Sequence, residues 1–169
     1  MTDMKLTSFE DLKQKIQHES LTRAEEKHTI LTVSAGTCGR ARGSLKVVEE
    51  LERVIQEKKL KDRVSVKITG CHGFCEAEPN IIIQPQNLFY QNVQPSDAEA
   101  IIQETVLNDQ IIDRFLYKEH DTGELKSSGP DIGFYKKQLR NVLGDNEQIE
   151  PTKIEDYFAV GGYSALAKV

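Results

Sequence analysis

Residues 63–93 read RVSVKITGCHGFCEAEPNIIIQPQNLFYQNV, and this stretch decides the fold. Residues 63–69 alternate polar and apolar side chains, which predicts a half-buried strand. Two further apolar runs, residues 80–85 and 88–93, are separated by only two residues. Such spacing predicts an antiparallel hairpin. Between the first strand and the hairpin lies a loop that carries two cysteines, so we expect a sheet that flanks a cysteine-bearing loop.

The segments on either side of this stretch supply one more strand and three helices. Residues 28–34, HTILTVS, are rich in β-branched side chains and predict a buried strand. Residues 43–59 carry apolar side chains at steps of three and four, which predicts a core-facing helix with Ser44 as its N-cap. Residues 96–107 predict a second core-facing helix, capped by the serine that opens it, and residues 8–27 predict a weakly amphipathic one.

The order of elements from residue 28 to residue 107 is therefore β-α-β-β-β-α. It resembles the order in thioredoxin-like domains, so the expected fold class is α/β (α+β) with a mixed sheet and flanking helices. We divide the chain into an N-terminal helical segment (1–27), a thioredoxin-like domain (28–108) and a mostly helical C-terminal extension (109–169). Within the extension, residues 118–132 are charged and glycine-rich, which predicts an exposed linker or hairpin.

The end of the sequence predicts short helices that depend on a partner. Pro151–Phe158 has the pattern of a helix entered through proline, and the residues from Tyr163 onward would begin another. The apolar side chains of this segment predict a docking surface.

Composition excludes several classes of function. The chain has 169 residues, a net charge of −5 and 29% charged residues, which argues against nucleic acid as the main partner. The longest apolar run, Tyr157 to Val160, has four residues, far short of the roughly 20 that a membrane span needs. The N-terminus has no apolar core of a secretory signal. Three cysteines are too few for a secreted disulfide framework, so we expect a reducing, cytoplasmic location.

The candidate chemistry lies in two glycine-containing loops, SAGTCGRARG (34–43) and GCHGFCE (70–76). Iron–sulfur ligation needs thiolates on irregular backbone, with glycines that let the chain close on the cluster and aim N–H groups at sulfur. Both loops fit this description. Arg40 and Arg42, with the following helix N-terminus, would favour the thiolate of Cys38. Glu76 and Glu78 read as an acidic loop, and Arg140 as part of a solvated basic group or a subunit contact.

Four motifs in this order carry a specific resemblance: GTCGRARGS, GCHGFCEAEP, LFYQNVQP and IEPTKIEDYFAVGGYSALAKV. They resemble the N-terminal part of NADH-binding flavoprotein subunits of complex I-type enzymes, including NAD-linked hydrogenases and formate dehydrogenases. These subunits begin with a thioredoxin-like 2Fe–2S ferredoxin domain. The resemblance implies that residues 109–169 are a linker and the start of a flavin/NADH-binding domain. FMN and NADH would then belong to a partner or a missing downstream domain, and other subunits of such an oxidoreductase complex would be the partners.

The ligand set departs from the pattern that the resemblance implies, C-x4-C in the first loop and C-x3-C in the second. Cys71 and Cys75 match the second pair, but Ser34 and Gly39 stand at the two positions of the first. The only thiol in that loop, Cys38, lies one residue earlier. Cys38, Cys71 and Cys75 are therefore the candidate ligands of a 2Fe–2S cluster, which needs four. The fourth would be Ser34, His72 or a residue of another subunit; alternatively, no cluster forms.

Other interpretations of the cysteines remain open. A zinc site of the three cysteines with His72 has acceptable ligand types, although neighbours in sequence rarely bind one metal. A redox pair is disfavoured because the thioredoxin active site is C-x-x-C. Two function classes remain, an electron-transfer module without substrate chemistry of its own and a cofactor-free scaffold for subunit assembly. In either case we predict that Cys38, Cys71 and Cys75 converge, because parallel strands end at the same sheet edge.

Overall fold

The computed structural model describes residues 6–24 and 28–168. Their packing forms two compact units. One comprises residues 28–147, and the other comprises residues 6–24 together with residues 148–168. Residues 109–147 thus pack in the same unit as the predicted thioredoxin-like domain, whose boundary at residue 108 stays a sequence-based prediction.

The larger unit is built on a four-stranded mixed sheet. Its strands are β1 (Thr29–Ser34), β2 (Val64–Thr69), β3 (Ile81–Gln84) and β4 (Leu88–Tyr90), in the spatial order β2-β1-β3-β4. β1 pairs parallel with β2 and antiparallel with β3, and β3 and β4 form the predicted antiparallel hairpin. The predicted mixed sheet is confirmed.

Helices follow the predicted positions, but they begin differently. The first cysteine loop contains a short helix, α2 (Thr37–Ala41), and α3 spans Ser44–Glu57. The predicted cap Ser44 is wrong: the N-cap is Gly43, whose φ of 94° lies in the left-handed region that glycine adopts without strain.

The helix predicted over residues 96–107 is also irregular at both ends. It consists of α4 (Ala98–Ala100), preceded by a 3-10 turn and continued as a π-helix over Ile101–Leu107. The predicted serine cap is wrong, because Gln94 and Asp97 form a capping box instead.

Each face of the sheet is covered by a different apolar layer. α3 and the Ala98–Leu107 helix bury one face in the main core, against side chains of β1, β3 and β4. A smaller, mostly aromatic cluster covers the other face, where it comprises Phe74, Ala77, Ile82, Phe89, Tyr117, Ile132 and Tyr135. The second cysteine loop contributes Phe74, so its backbone is anchored in this cluster.

Residues that follow the Ala98–Leu107 helix complete the larger unit. The predicted linker or hairpin is a hairpin of β5 (Tyr117–Lys118) and β6 (Leu125–Lys126), and α5 (Gly133–Lys136) follows. The outer edge of β4 is paired with this part of the chain. Phe89 N–H donates to the Ser127 carbonyl over 2.7 Å, and Gln91 N–H donates to the Phe115 carbonyl over 2.9 Å.

The smaller unit packs two helices on each other. α1 (Phe9–Ala24) contacts α6 (Ile154–Ala159) through an apolar cluster that includes Leu12 and Phe158. The helix predicted from Tyr163 onward is only a 3-10 turn over Leu166–Lys168, and Tyr163 itself has a φ of 61°. The predicted docking role of this segment stays a prediction. Across residues 6–24 and 28–168, no helix has the length and apolar character needed to span a bilayer.

Candidate functional site

Both cysteine loops leave the sheet at one edge. Ser34, the last residue of β1, pairs with Thr69, the last residue of the parallel strand β2. β3 runs antiparallel to β1 and starts beside it, since Val33 pairs with Ile81. The chain therefore leaves two strands and enters a third at the same place, which is the predicted arrangement.

The three thiols converge at this edge, as predicted. Cys38 lies in α2, Cys75 opens a 3-10 turn, and Cys71 lies in the loop after β2. The pKa of the Cys75 thiol is raised to about 11. The largest cause is a hydrogen bond with Cys38; desolvation and the nearby charges of Cys38 and Cys71 contribute less. All three cysteines are free, and Cys38 and Cys75 are exposed. Their role as ligands stays a prediction.

Glycines bring the loop backbones close to sulfur. The Gly73 N–H donates to Cys71 Sγ over 3.2 Å, the type of bond that stabilises iron–sulfur thiolates. A Cβ on Gly36 would lie 2.8 Å from Cys71 Cβ, so the close approach of the two loops requires glycine there. These are the backbone features that the sequence analysis associated with iron–sulfur ligation.

A mononuclear metal site fits less well. Within the described parts of the chain, no group of three or more His, Cys, Asp and Glu side chains has the geometry to hold a metal ion. The zinc interpretation of the sequence therefore has no support from the side-chain arrangement.

The predicted arginines bind backbone carbonyls, Arg40 within its own loop and Arg42 across to the second loop. Arg40 Nε donates to the Ala35 carbonyl over 2.9 Å. Arg42 Nη1 donates to the carbonyls of Glu76 and Glu78 over 3.0 and 3.3 Å. The Arg42 guanidinium thus joins the first cysteine loop to the segment that follows Cys75.

A buried pair, Ser34 and Glu78, lies behind the thiols. The Ser34 hydroxyl donates to the Glu78 carboxylate and lies 3.4 Å from the Gly70 carbonyl oxygen. Glu78 is only 1% exposed, and this burial raises the pKa of its carboxyl. Glu78 lies in the predicted acidic loop, but its side chain points into the fold rather than into solvent.

Gly39 has no room for the cysteine that the resemblance implies there. A Cβ on Gly39 would lie 2.7 Å from the Ser34 carbonyl oxygen and 2.9 Å from Glu78 Oε2. Both distances are shorter than the contacts that real Cβ atoms make. The backbone of α2 therefore packs directly on the end of β1 at Gly39. Cys38, one residue earlier, is exposed and presents the thiol instead.

His72 is held by hydrogen bonds inside the fold. It is fully buried, with Nε2 2.7 Å from Thr69 Oγ1 and Nδ1 2.8 Å from Asn80 Oδ1. Burial, aided by the charge of Arg140, lowers the pKa of His72 to about 4. Because both ring nitrogens have partners, His72 links the end of β2 to the residue before β3 and is poorly suited to be the fourth ligand.

Two residues that the sequence did not single out as site residues contact the second cysteine loop. Arg140 Nη2 donates to the His72 carbonyl over 2.8 Å, and Asn146 Nδ2 donates to the Cys71 carbonyl over 3.0 Å. The Arg140 side chain is therefore mostly buried rather than solvated, and its predicted role in a subunit contact stays a prediction. No local pattern announces these contacts, which join residues 68 and 75 positions apart.

The mixed sheet, with flanking helices, is that of a thioredoxin-like domain. Its three cysteines lie where the parallel strands end, and their spacing differs from the C-x-x-C of a thioredoxin active site. A model of the family described as "Thioredoxin-like [2Fe-2S] ferredoxin" matches residues 18–106, just over half of the chain. The chain belongs to that family, which confirms the predicted ferredoxin-domain resemblance.

Relatives and solved structures agree with this assignment. A 2Fe-2S ferredoxin of Clostridium pasteurianum is 28% identical over 74 residues, which are 44% of this chain and 72% of the relative. One from Aquifex aeolicus is 25% identical over 101 residues, 55% of this chain and 90% of the relative. A structure of a thioredoxin-like [2Fe-2S] ferredoxin from Aquifex aeolicus matches with a TM-score of 0.53 and 20% identity, and covers 64% of this chain and 98% of its own. This last likeness supports the fold.

Proposed function

We propose that this chain is an electron-transfer module that holds a 2Fe–2S cluster through Cys38, Cys71 and Cys75. The observation that carries the proposal is the convergence of the three thiols, with the Gly73 N–H aimed at Cys71 Sγ. Membership in the ferredoxin family supports the choice of cluster. The cluster, when bound, takes up and releases single electrons.

The residues of this chain position the thiols and connect them to solvent. The exposure of Cys38 and Cys75 would let a partner approach the centre closely. The N–H of Gly73 would stabilise charge on the Cys71 thiolate, and Arg42 would keep the two loops at a fixed separation.

For the fourth ligand we propose Ser34. The resemblance places a ligand at this position, and the Ser34 hydroxyl lies beside Gly70, the residue before Cys71. Ligation would require this hydroxyl to give up its hydrogen bond to Glu78. Replacing Ser34 by Ala should then weaken the cluster, whereas Ser34→Cys should keep it with altered absorption. Glu78→Gln, which retains an acceptor for Ser34, is the control. An unchanged spectrum in Ser34→Ala would exclude Ser34 as the fourth ligand.

We further propose that the module serves an NADH-linked oxidoreductase in the cytoplasm. The proposal is supported by the resemblance of the four sequence motifs to those of NADH-binding subunits, and by the three free thiols, which suit a reducing compartment. FMN and NADH would be bound by other subunits or by a further domain of the same complex. Co-purification with a flavin-containing subunit from the native source tests this context, and recovery of the chain from that source without any flavin-containing partner would contradict it.

A cofactor-free scaffold is the second candidate, and one observation favours it. Ser34 is fully buried against Glu78, and Gly39 leaves no space for a cysteine. A relative that has lost its cluster could fill the site in this way while keeping its surface for subunit assembly.

One experiment separates the two candidates. The full chain is purified without oxygen and its iron content, visible absorption and electron paramagnetic resonance spectrum after reduction are measured. We expect a coloured protein, and Cys75→Ser should lose both the colour and the resonance signal. Thr122→Ser, an exposed substitution in the β5–β6 hairpin, is the matched control. A colourless chain that also fails to take up iron and sulfide would support the scaffold.

A further inference from the structure

Residues 133–147 form a segment, here called the strap, that lies against the second cysteine loop. The strap begins with α5 and ends with a 3-10 turn over Gly144–Glu147. It lies outside the residues that match the ferredoxin family, which end at residue 106. We infer that the strap is an integral part of the thiol site, with Arg140 and Asn146 as positioning residues for the Cys71–Gly73 backbone.

The first support is a set of hydrogen bonds to two consecutive carbonyls of the loop. Asn146 Nδ2 binds the Cys71 carbonyl over 3.0 Å. Arg140 Nη2 binds the His72 carbonyl over 2.8 Å, and Tyr135 Oη lies 3.4 Å from the same oxygen. These carbonyls belong to the two peptide units between Cys71 and Gly73, and the His72 carbonyl lies in the same planar unit as the Gly73 N–H. Their orientation therefore determines whether that N–H reaches Cys71 Sγ.

The second support is side-chain packing on the same loop. The Phe134 ring stacks on the Phe74 ring at 4.2 Å between centroids and an interplanar angle of 11°. Leu143 Cδ1 lies 3.3 Å from the place of a Cβ on Gly73. Hydrogen bonds thus hold the loop at Cys71 and His72, and apolar contacts hold it at Gly73 and Phe74.

The third support is that Arg140 is itself held in place. Its guanidinium lies 4.7 Å from the centroid of the Tyr135 ring and forms an ion pair with Glu147. The side chains of both partners in that pair are mostly buried. Stacking and the carboxylate already fix the guanidinium, so it loses little conformational entropy when it binds the His72 carbonyl. The hydrogen bond to that carbonyl is therefore favourable.

The positioning role of Arg140 and Asn146 can be distinguished from a general effect on stability, because the strap contacts one loop and its loss should change that loop more than the sheet. In the protein without metal, loss of the Asn146 bond should increase amide exchange at Gly73 about fivefold while the exchange of the sheet stays unchanged. With the cluster bound, which rests on the proposed function, loss of the Arg140 charge should lower the reduction potential, because a nearby positive charge favours the reduced, more negative centre.

The test compares Asn146→Ala with Asn141→Ala, and Arg140→Gln with Lys137→Gln. Both controls lie in the strap at exposed positions. Amide exchange of the metal-free full chain and the reduction potential of the reconstituted chain are measured for all four. We expect faster exchange at residues 71–74 in Asn146→Ala, a lower potential in Arg140→Gln, and parental values in the controls.

Two outcomes would overturn the inference: parental exchange at residues 71–74 in Asn146→Ala, or equal changes in the matched controls. If no variant and not even the parent takes up a cluster, the proposed function fails. The exchange measurement still decides the role of the strap in that case, because it needs no metal. If Arg140→Gln does not fold, Asn146→Ala alone gives the decision.

Discussion

Gly39→Ala tests the closure of the first cysteine loop against β1. The added methyl would lie 2.7 Å from the Ser34 carbonyl oxygen, a backbone atom that is held in the sheet. Forcing an atom into such a packed place costs about 1–3 kcal/mol. Alanine is favoured over glycine in a helix by about 0.5–1 kcal/mol, but α2 has only five residues and Gly39 is buried, so this gain is smaller than the clash. We expect a net loss of about 1–2 kcal/mol in the free energy of unfolding.

Urea unfolding of the metal-free chain measures this loss, which should also lower the melting temperature by about 3–6 °C. Gly129→Ala is the matched control, because a Cβ there would meet its nearest heavy atom at an ordinary 4.0 Å. The control should change the unfolding free energy by less than about 0.5 kcal/mol. A stabilising or neutral Gly39→Ala would refute the reasoning. It would show that position 39 has room for a side chain. The steric reason for a cysteine at position 38 instead of position 39 would then be lost.

Two further predictions concern stability. The pKa of His72 falls from 6.5 to about 4 on folding. As the pH is lowered, the imidazole is therefore protonated in the unfolded chain before it is protonated in the folded one. The contribution of His72 to the free energy of unfolding is fully present above pH 6.5 and is lost as the pH falls to 4, a change of about 3 kcal/mol. His72→Gln should lose this pH dependence in urea unfolding, whereas His120→Gln, at an exposed residue, should retain it; equal behaviour would contradict the assignment. Phe89→Ala, at a fully buried ring, should cost about 3–5 kcal/mol. Leu139→Ala, at a side chain that is 87% exposed, should cost less than about 0.5 kcal/mol, and similar losses in both would contradict the described core.

The elements that the sequence predicted well are those with a local signal. β1 has β-branched residues, α3 has an apolar period, and β3 and β4 are apolar runs close together in the chain. All three features lie close to where they were predicted, although the hairpin turn has three residues, 85–87, rather than two. Helix starts were predicted less well. A serine is a common cap, but at α3 the chain uses the left-handed conformation of Gly43, and before α4 it uses the Gln94–Asp97 pair. Several residues near each helix start were acceptable caps, and packing selected among them.

The site shows the same division. The two cysteine loops were identified from their residues, and the parallel pairing of β1 and β2 brought them together as predicted. The burial of Glu78 was missed because its partner, Ser34, lies 44 positions earlier in the chain. The contacts of Arg140 were missed for the same reason. A buried polar contact between distant segments leaves no periodic pattern in either of them.

The pairing of the outer edge of β4 has a consequence for how this protein can be shortened. Leu88, Phe89 and Tyr90 are all buried, and the neighbours that pair with this edge come from residues 115–128. A polypeptide cut after residue 107 would expose a row of unpaired N–H and C=O groups beside apolar side chains. Such an edge is a template for strand addition between molecules. We therefore expect the excised segment 28–107 to aggregate and the segment 28–147 to stay monomeric, which size-exclusion chromatography of the two fragments would show.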